Sequence, residues 1–129
     1  MSSAVNLPKS ILIVDDDEFS QEILRKIFSG WGVEDIRLAS NGMKAVRVLD
    51  SMPQHPEVLI CDIFMPDMDG IEFIGELAKR NFQGGLIFVS GVNRDMLDVA
   101  QTIAIHKGLH VLAQFVKPIG ADALREVLR

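Results

Sequence analysis

The chain has 129 residues, 48% of them hydrophobic and 24% charged, with a formal net charge of -5 and a mean hydropathy of +0.22. That size holds one sizeable core and is short for two, the composition is too apolar for a disordered chain, and no cluster of Lys or Arg offers the basic stripe that a nucleic-acid duplex requires. A lone cysteine, Cys61, excludes an internal disulfide, Met1 to Lys9 lacks the pattern of a signal peptide, and no apolar run nears the ~20 residues that cross a bilayer, so the expected setting is cytoplasmic, with no direct nucleic-acid or membrane contact.

In chain order, residues 1–9 read as a flexible tail and residues 10–129 as one domain. Ile11 to Val14 is a short apolar run that stops at Asp15-Asp16, as a buried strand does. Phe19, Ile23, Ile27 and Trp31 then share a helical stripe, with Leu24 and Phe28 beside it, and Gly30 and Gly32 close that helix. Asp35 to Ala39 sets Ile36 and Leu38 in alternation with Asp35 and Arg37, which suits a strand near a sheet edge. Ala45, Val48 and Leu49 mark a second helix after Asn41-Gly42. Val58 to Cys61 is a second buried strand that runs into Asp62, and Ile71, Ile74, Leu77 and Ala78 mark a third helix after Gly70. Leu86 to Val89 reads as another buried strand, ending at Ser90-Gly91, before a fourth helix on Met96, Ala100, Ile103 and Ala104. Val111 to Val116 is the last buried strand, leading to Lys117-Pro118, and a helix on Leu124, Val127 and Leu128 is still running at Arg129.

Strand and helix alternating five times predicts an α/β fold, because each parallel connection needs a crossover. The expected layout is a flavodoxin-like five-stranded parallel sheet, order 2-1-3-4-5, with helices on both faces. Ligands in such sheets sit beyond the carboxyl ends of the strands, where the strand order reverses.

That edge is where the chemistry collects. Asp15 and Asp16, Asp62, Ser90 and Lys117 all stand at strand ends. Each has an ordinary reading: an acidic helix start, a turn aspartate, a strand-ending serine and a surface lysine. Their joint arrival at one edge favours a site. Two carboxylates repel by about 3 kcal/mol at ~5 Å with an effective dielectric near 20, so three of them call for a cation. Oxygen ligands without a nearby His or Cys favour Mg²⁺. Asp62 can then serve as a nucleophile forming an acyl phosphate, Lys117 as a fixed positive charge and Ser90 as a hydrogen-bond donor to a phosphoryl oxygen.

The motifs ILIVDDDE at 11–18, VLICDIFMPDMDGIEF at 58–73, IFVSG at 87–91 and FVKP at 115–118 resemble the receiver domain of two-component response regulators from Lys9 onward. The resemblance implies that Asp15 and Asp16 hold Mg²⁺, that Asp62 takes phosphate from a sensor histidine kinase or phosphotransfer protein, and that Phe64 lends its backbone carbonyl to the metal. It also implies that Ser90 and Lys117 fill the hydroxyl and lysine positions, and that the Lys117-Pro118 bond is cis. Its further implications are a signalling domain rather than an enzyme, an attached or separate output domain, and dimerisation through helix four, strand five and helix five. Pro66 is expected to stiffen the loop and Gly70 to allow a tight start to the next helix.

Three departures stand out. The position three residues before the lysine, aromatic in most of the family, is Gln114; Phe115 has the opposite strand parity and should face the other way. Ser90 and Lys117 are 27 residues apart, so helix four or the loop after it should be extended. That segment, with GLHVLAQFVKPI at 108–119, is similar to receivers fused to cyclic-di-GMP phosphodiesterase domains. The chain also stops twelve residues after Lys117, as an excised domain would.

Rival functions fit less well. An aspartyl-phosphate hydrolase of the haloacid-dehalogenase type needs an acid two residues after the nucleophile, where Phe64 stands. Asp67, Asp69, Gly70 and Glu76 match positions of a calcium loop, but position one would be Met65 and a strand precedes it. A receiver-like module that only binds partners would lack acidic or lysine positions, and none is missing. Cys61 reads as a core residue, and His55, His106 and His110 lack metal-ligand spacing.

Overall fold

Apolar runs buried on both faces must be covered twice, and the chain achieves this with helices on either side of one sheet. A computed structural model describes residues 7–65, 67–91 and 94–128, so the expectations for residues 1–6 and for Pro66 lie outside the described residues. The elements are β1 (Ser10–Val14), α1 (Glu18–Gly30), β2 (Asp35–Ala39), α2 (Gly42–Ser51), β3 (Val58–Asp62), α3 (Gly70–Lys79), β4 (Gly85–Ser90), α4 (Arg94–His106), β5 (His110–Val116) and α5 (Ala121–Val127). All strand pairs are parallel, in the order β2-β1-β3-β4-β5. This is the expected flavodoxin-like sheet.

Side chains alternate across the sheet and so divide the core in two. Leu12, Val14, Leu59, Cys61, Leu86 and Phe88 face α2, α3 and α4. Ile11, Ile13, Val58, Ile60, Ile87 and Val89 face α1 and α5. Leu7, just ahead of β1, packs against this second cluster. The helices after β1 and β3 therefore leave to opposite faces, which opens a crevice between those neighbouring strands.

The structure corrects the sequence reading at several points. In α1 the buried residues are Gln21, Leu24 and Phe28, whereas Phe19 is 73% and Ile23 40% exposed. The helix is thus rotated away from its most apolar stripe; a polar side chain is drawn inward by hydrogen bonds described below. Phe73 and Leu97, absent from the expected stripes, are fully buried in α3 and α4. β5 was expected to be buried, yet only the interior strands are; as the outermost strand it is half-exposed, with Leu112 and Val116 open to solvent. Its register with β4 shifts between Leu86 and Ile87, where Leu112 is bulged. The length between Ser90 and Lys117 lies in the thirteen-residue α4 and seven-residue β5, joined by only residues 107–109. The last helix ends at Val127 with Leu128 as its C-cap.

The rotation of α1 has a measurable consequence. Phe28→Ala should destabilise the fold by about 3–5 kcal/mol, whereas Phe19→Ala should change it by no more than about 0.5 kcal/mol, as read by urea unfolding.

Candidate functional site at the carboxyl edge of the sheet

β1 and β3 are neighbours, and both end in carboxylates at the crevice between them. Oxygens of Asp15, Asp16 and Asp62 all lie within 4.8 Å of one another. Asp15 and Asp62 are 3% and 6% exposed, while Asp16 faces solvent. Lys117, just past β5, reaches back to both buried acids, its Nζ lying 2.8 Å from Asp15 Oδ2 and 2.9 Å from Asp62 Oδ2. Its backbone N–H donates to the Ser90 carbonyl at 2.9 Å, and the Lys117-Pro118 bond is cis.

Burial pushes the Asp62 carboxyl above its ordinary value, although the Lys117 ammonium and the Phe64 amide draw it back in part. Burial alone would lower the Lys117 ammonium, but its hydrogen bonds to Asp15 and Asp62 prevail and hold it above the usual lysine range. Three carboxylates against one ammonium leave an uncompensated negative charge of about two, which matches a divalent cation, and the all-oxygen donors suit Mg²⁺.

Local backbone chemistry fixes the two buried acids. Asp15 donates its N–H to the Ala39 carbonyl at 3.0 Å, and its Oδ1 accepts from the Asp17 N–H at 2.9 Å. Its carbonyl accepts from Gln21 Nε2 at 2.6 Å, and the same nitrogen donates to the Ala39 carbonyl at 3.0 Å. Asp62 Oδ1 accepts from the Phe64 N–H at 3.0 Å. The loop after β3 folds back so closely that the Gly70 N–H meets the Ile63 carbonyl at 2.8 Å. A Cβ on Gly70 would lie 3.0 Å from Ile63 Cα, so any larger residue would push this backbone apart by a few tenths of an ångström. Asp67 accepts from the N–H groups of Gly42 and Met43 at 3.2 and 3.0 Å, tying this loop to the start of α2.

The calcium-loop residues have other duties: Asp67 caps α2, Asp69 caps α3, and Glu76 pairs with Arg80. The Cys61 thiol is fully buried, and that burial, aided by Asp62 and Asp15, pushes its pKa well up. It belongs to the core.

Ser90 ends β4 one residue beyond Val89, the register partner of Asp62, and is fully buried. The Phe64 side chain is 44% exposed. Gln114 stands opposite Phe88 in the register and donates from Nε2 to Asp98 Oδ1 of α4 at 2.7 Å; its buried Oε1 has no partner among the described residues. Phe115 packs with the opposite core, as its parity predicts. Beside the acids, Phe19, Ile23, Pro118 and Ile119 join Asp15 and Lys117 around a cleft of about 140 Å³. Gln21 is the residue that sequence reasoning missed: a glutamine in an amphipathic helix carries no sign that it points inward.

The family model described as "Response regulator receiver domain" matches residues 11–129. The chain belongs to the response regulator receiver family. It is 31% identical over 118 residues to the chemotaxis protein CheY of Listeria monocytogenes, covering 92% of this chain and 93% of that protein. A response regulator structure from Colwellia psychrerythraea is 32% identical with a TM-score of 0.77, over 92% of each chain. A chain of the CheX-CheY-BeF3-Mg²⁺ complex from Borrelia burgdorferi aligns with a TM-score of 0.78 and 26% identity over 92% of this receiver and 84% of that chain.

A carboxyl whose pKa is raised by folding favours the folded state when protonated and opposes it when ionised. At neutral pH without Mg²⁺, Asp62→Asn should therefore unfold at a higher temperature than the native receiver. The gap should close as pH falls through the raised Asp62 value towards 3.8. Thermal unfolding as a function of pH checks this; a native protein more stable than the variant at neutral pH would contradict it.

Proposed function

We propose that Asp62 is the phosphoacceptor of this receiver, supplied by a sensor histidine kinase or phosphotransfer protein. We assign Mg²⁺ binding to Asp15, Asp16, Asp62 and the backbone carbonyl of Phe64. The observation that carries the reading is the convergence of three carboxylate residues and Lys117 in the crevice between β1 and β3. Bound Mg²⁺ supplies positive charge against the carboxylates and the arriving phosphoryl oxygens. A carboxylate oxygen of Asp62 forms the new P–O bond as the P–N bond of the donor phosphohistidine breaks and the imidazole leaves. Lys117, already on Asp62, shifts its ammonium to a phosphoryl oxygen, and Ser90 donates its hydroxyl to another. The positioning of fixed charges carries most of such a transfer.

The receiver spans residues 10–129 in this reading and works in the cytoplasm as a signalling domain. No described helix is long and apolar enough to cross a membrane. The phosphorylated state alters partner affinity through α4, β5 and α5, with a coupling of about 1–3 kcal/mol. The Gln114–Asp98 hydrogen bond supports this route, because it joins the strand beside the site to α4 without an aromatic switch. A second copy docking on this face, or an output domain such as a cyclic-di-GMP enzyme, receives the signal.

Incubation with acetyl phosphate and Mg²⁺ should add one phosphoryl mass to the native chain, measured on the intact protein. The adduct should be absent without Mg²⁺ and absent from Asp62→Ala. No adduct on a folded native chain would instead favour a module that binds partners without phosphorylation.

A further inference from the structure

Gln21 is 8% exposed, in a helix whose outer face carries the bulkier apolar Phe19 and Ile23. Its amide is oriented by two carbonyl acceptors, those of Asp15 at 2.6 Å and Ala39 at 3.0 Å, so Nε2 must face them. The Ala39 carbonyl also accepts from the Asp15 N–H. One side chain of α1 thus binds the ends of β1 and β2 together, at the residue where the acidic pair begins.

The consequence reaches Asp16 through the peptide bond. The Asp15 carbonyl, the Asp16 nitrogen and the Asp16 Cα lie in one rigid plane. Holding the carbonyl oxygen therefore holds the direction in which Asp16 leaves the strand. Asp15 has three other anchors, at its own N–H and at both carboxylate oxygens, whereas the exposed Asp16 depends on this plane for its approach to the other acids.

We infer that Gln21 is a positioning residue for Mg²⁺: by donating to the Asp15 and Ala39 carbonyls, it aims the Asp15-Asp16 pair so that both acids meet one ion. The inference rests on the proposed receiver function and adds to it a side chain that touches neither metal nor phosphoryl group. Outer-shell partners of metal ligands commonly govern affinity by about 10–100-fold.

The test is the Mg²⁺ dissociation constant of the 129-residue chain, followed by amide NMR shifts at Asp16 and Phe64. Gln21→Met keeps the volume but removes the donor, and should weaken Mg²⁺ binding by about tenfold. Gln21→Leu removes the donor with a second apolar side chain of similar size. It should weaken Mg²⁺ binding to a similar extent, because the lost strap is the same. Val33→Ala, a core change in the α1–α5 layer, should lower the unfolding temperature while leaving the Mg²⁺ constant unchanged. Either Gln21 variant decides the matter if the other does not fold. Gln21→Met or Gln21→Leu binding Mg²⁺ within about twofold of native overturns the inference. A native chain that fails to bind Mg²⁺ overturns the proposed phosphoacceptor function itself.

Discussion

Asp15 and Asp62 are held almost out of water with Asp16 close by, and one ammonium is shared between the first two. Such an arrangement is unfavourable unless the surrounding chain imposes it, since like charges at this range repel and burial weakens their hydration. Much of the structure around the crevice serves to hold these groups in place. The parallel sheet brings the ends of β1 and β3 side by side, and the departure of their helices to opposite faces keeps the space above them open. Lys117 arrives from the far side of β4 because the Ser90 carbonyl receives its backbone N–H.

The loops that carry the acids are tied down by short polar contacts, and the loop after β3 also by the packing of Ile63, Met65 and Met68 against the core. Asp17 and Phe64 present backbone donors to Asp15 and Asp62, each two residues along the chain. Asp67 locks the loop after β3 onto α2, and the close approach at Gly70 turns that loop directly into α3. Such contacts leave the carboxylate residues little freedom. In the proposed function, a phosphoryl group arriving at Asp62 is accommodated by moving Lys117 and its neighbours, which would let this buried charge cluster act as a switch.

The strands and the four strand-end positions were legible in the sequence because each rests on a local signal, and the sheet order followed from the fold class that the strand-helix alternation implies. Short apolar runs mark buried strands, and a polar residue at the end of each run marks the sheet edge. What was hidden depends on contacts between distant elements. Gln21 reads as a solvent-facing residue until the carbonyls of Asp15 and Ala39 stand beside it, and the exposure of Phe19 follows from that rotation of α1. The half-exposure of β5 was hidden for a related reason: the run from Val111 to Val116 is apolar, but its edge position leaves one flank uncovered. The Gln114 substitution was visible in the sequence, whereas its partner Asp98 was not.

The central claim is that this crevice makes Asp62 a phosphoryl acceptor. Borohydride reduction of the acetyl phosphate-treated chain tests it most directly, because an aspartyl phosphate is reduced to homoserine, and tandem mass spectrometry of the peptides locates that residue. The account predicts homoserine at position 62 alone, formed only when Mg²⁺ is present. Homoserine at position 15 or 16, or a stable phosphoryl group on Ser90, would contradict it.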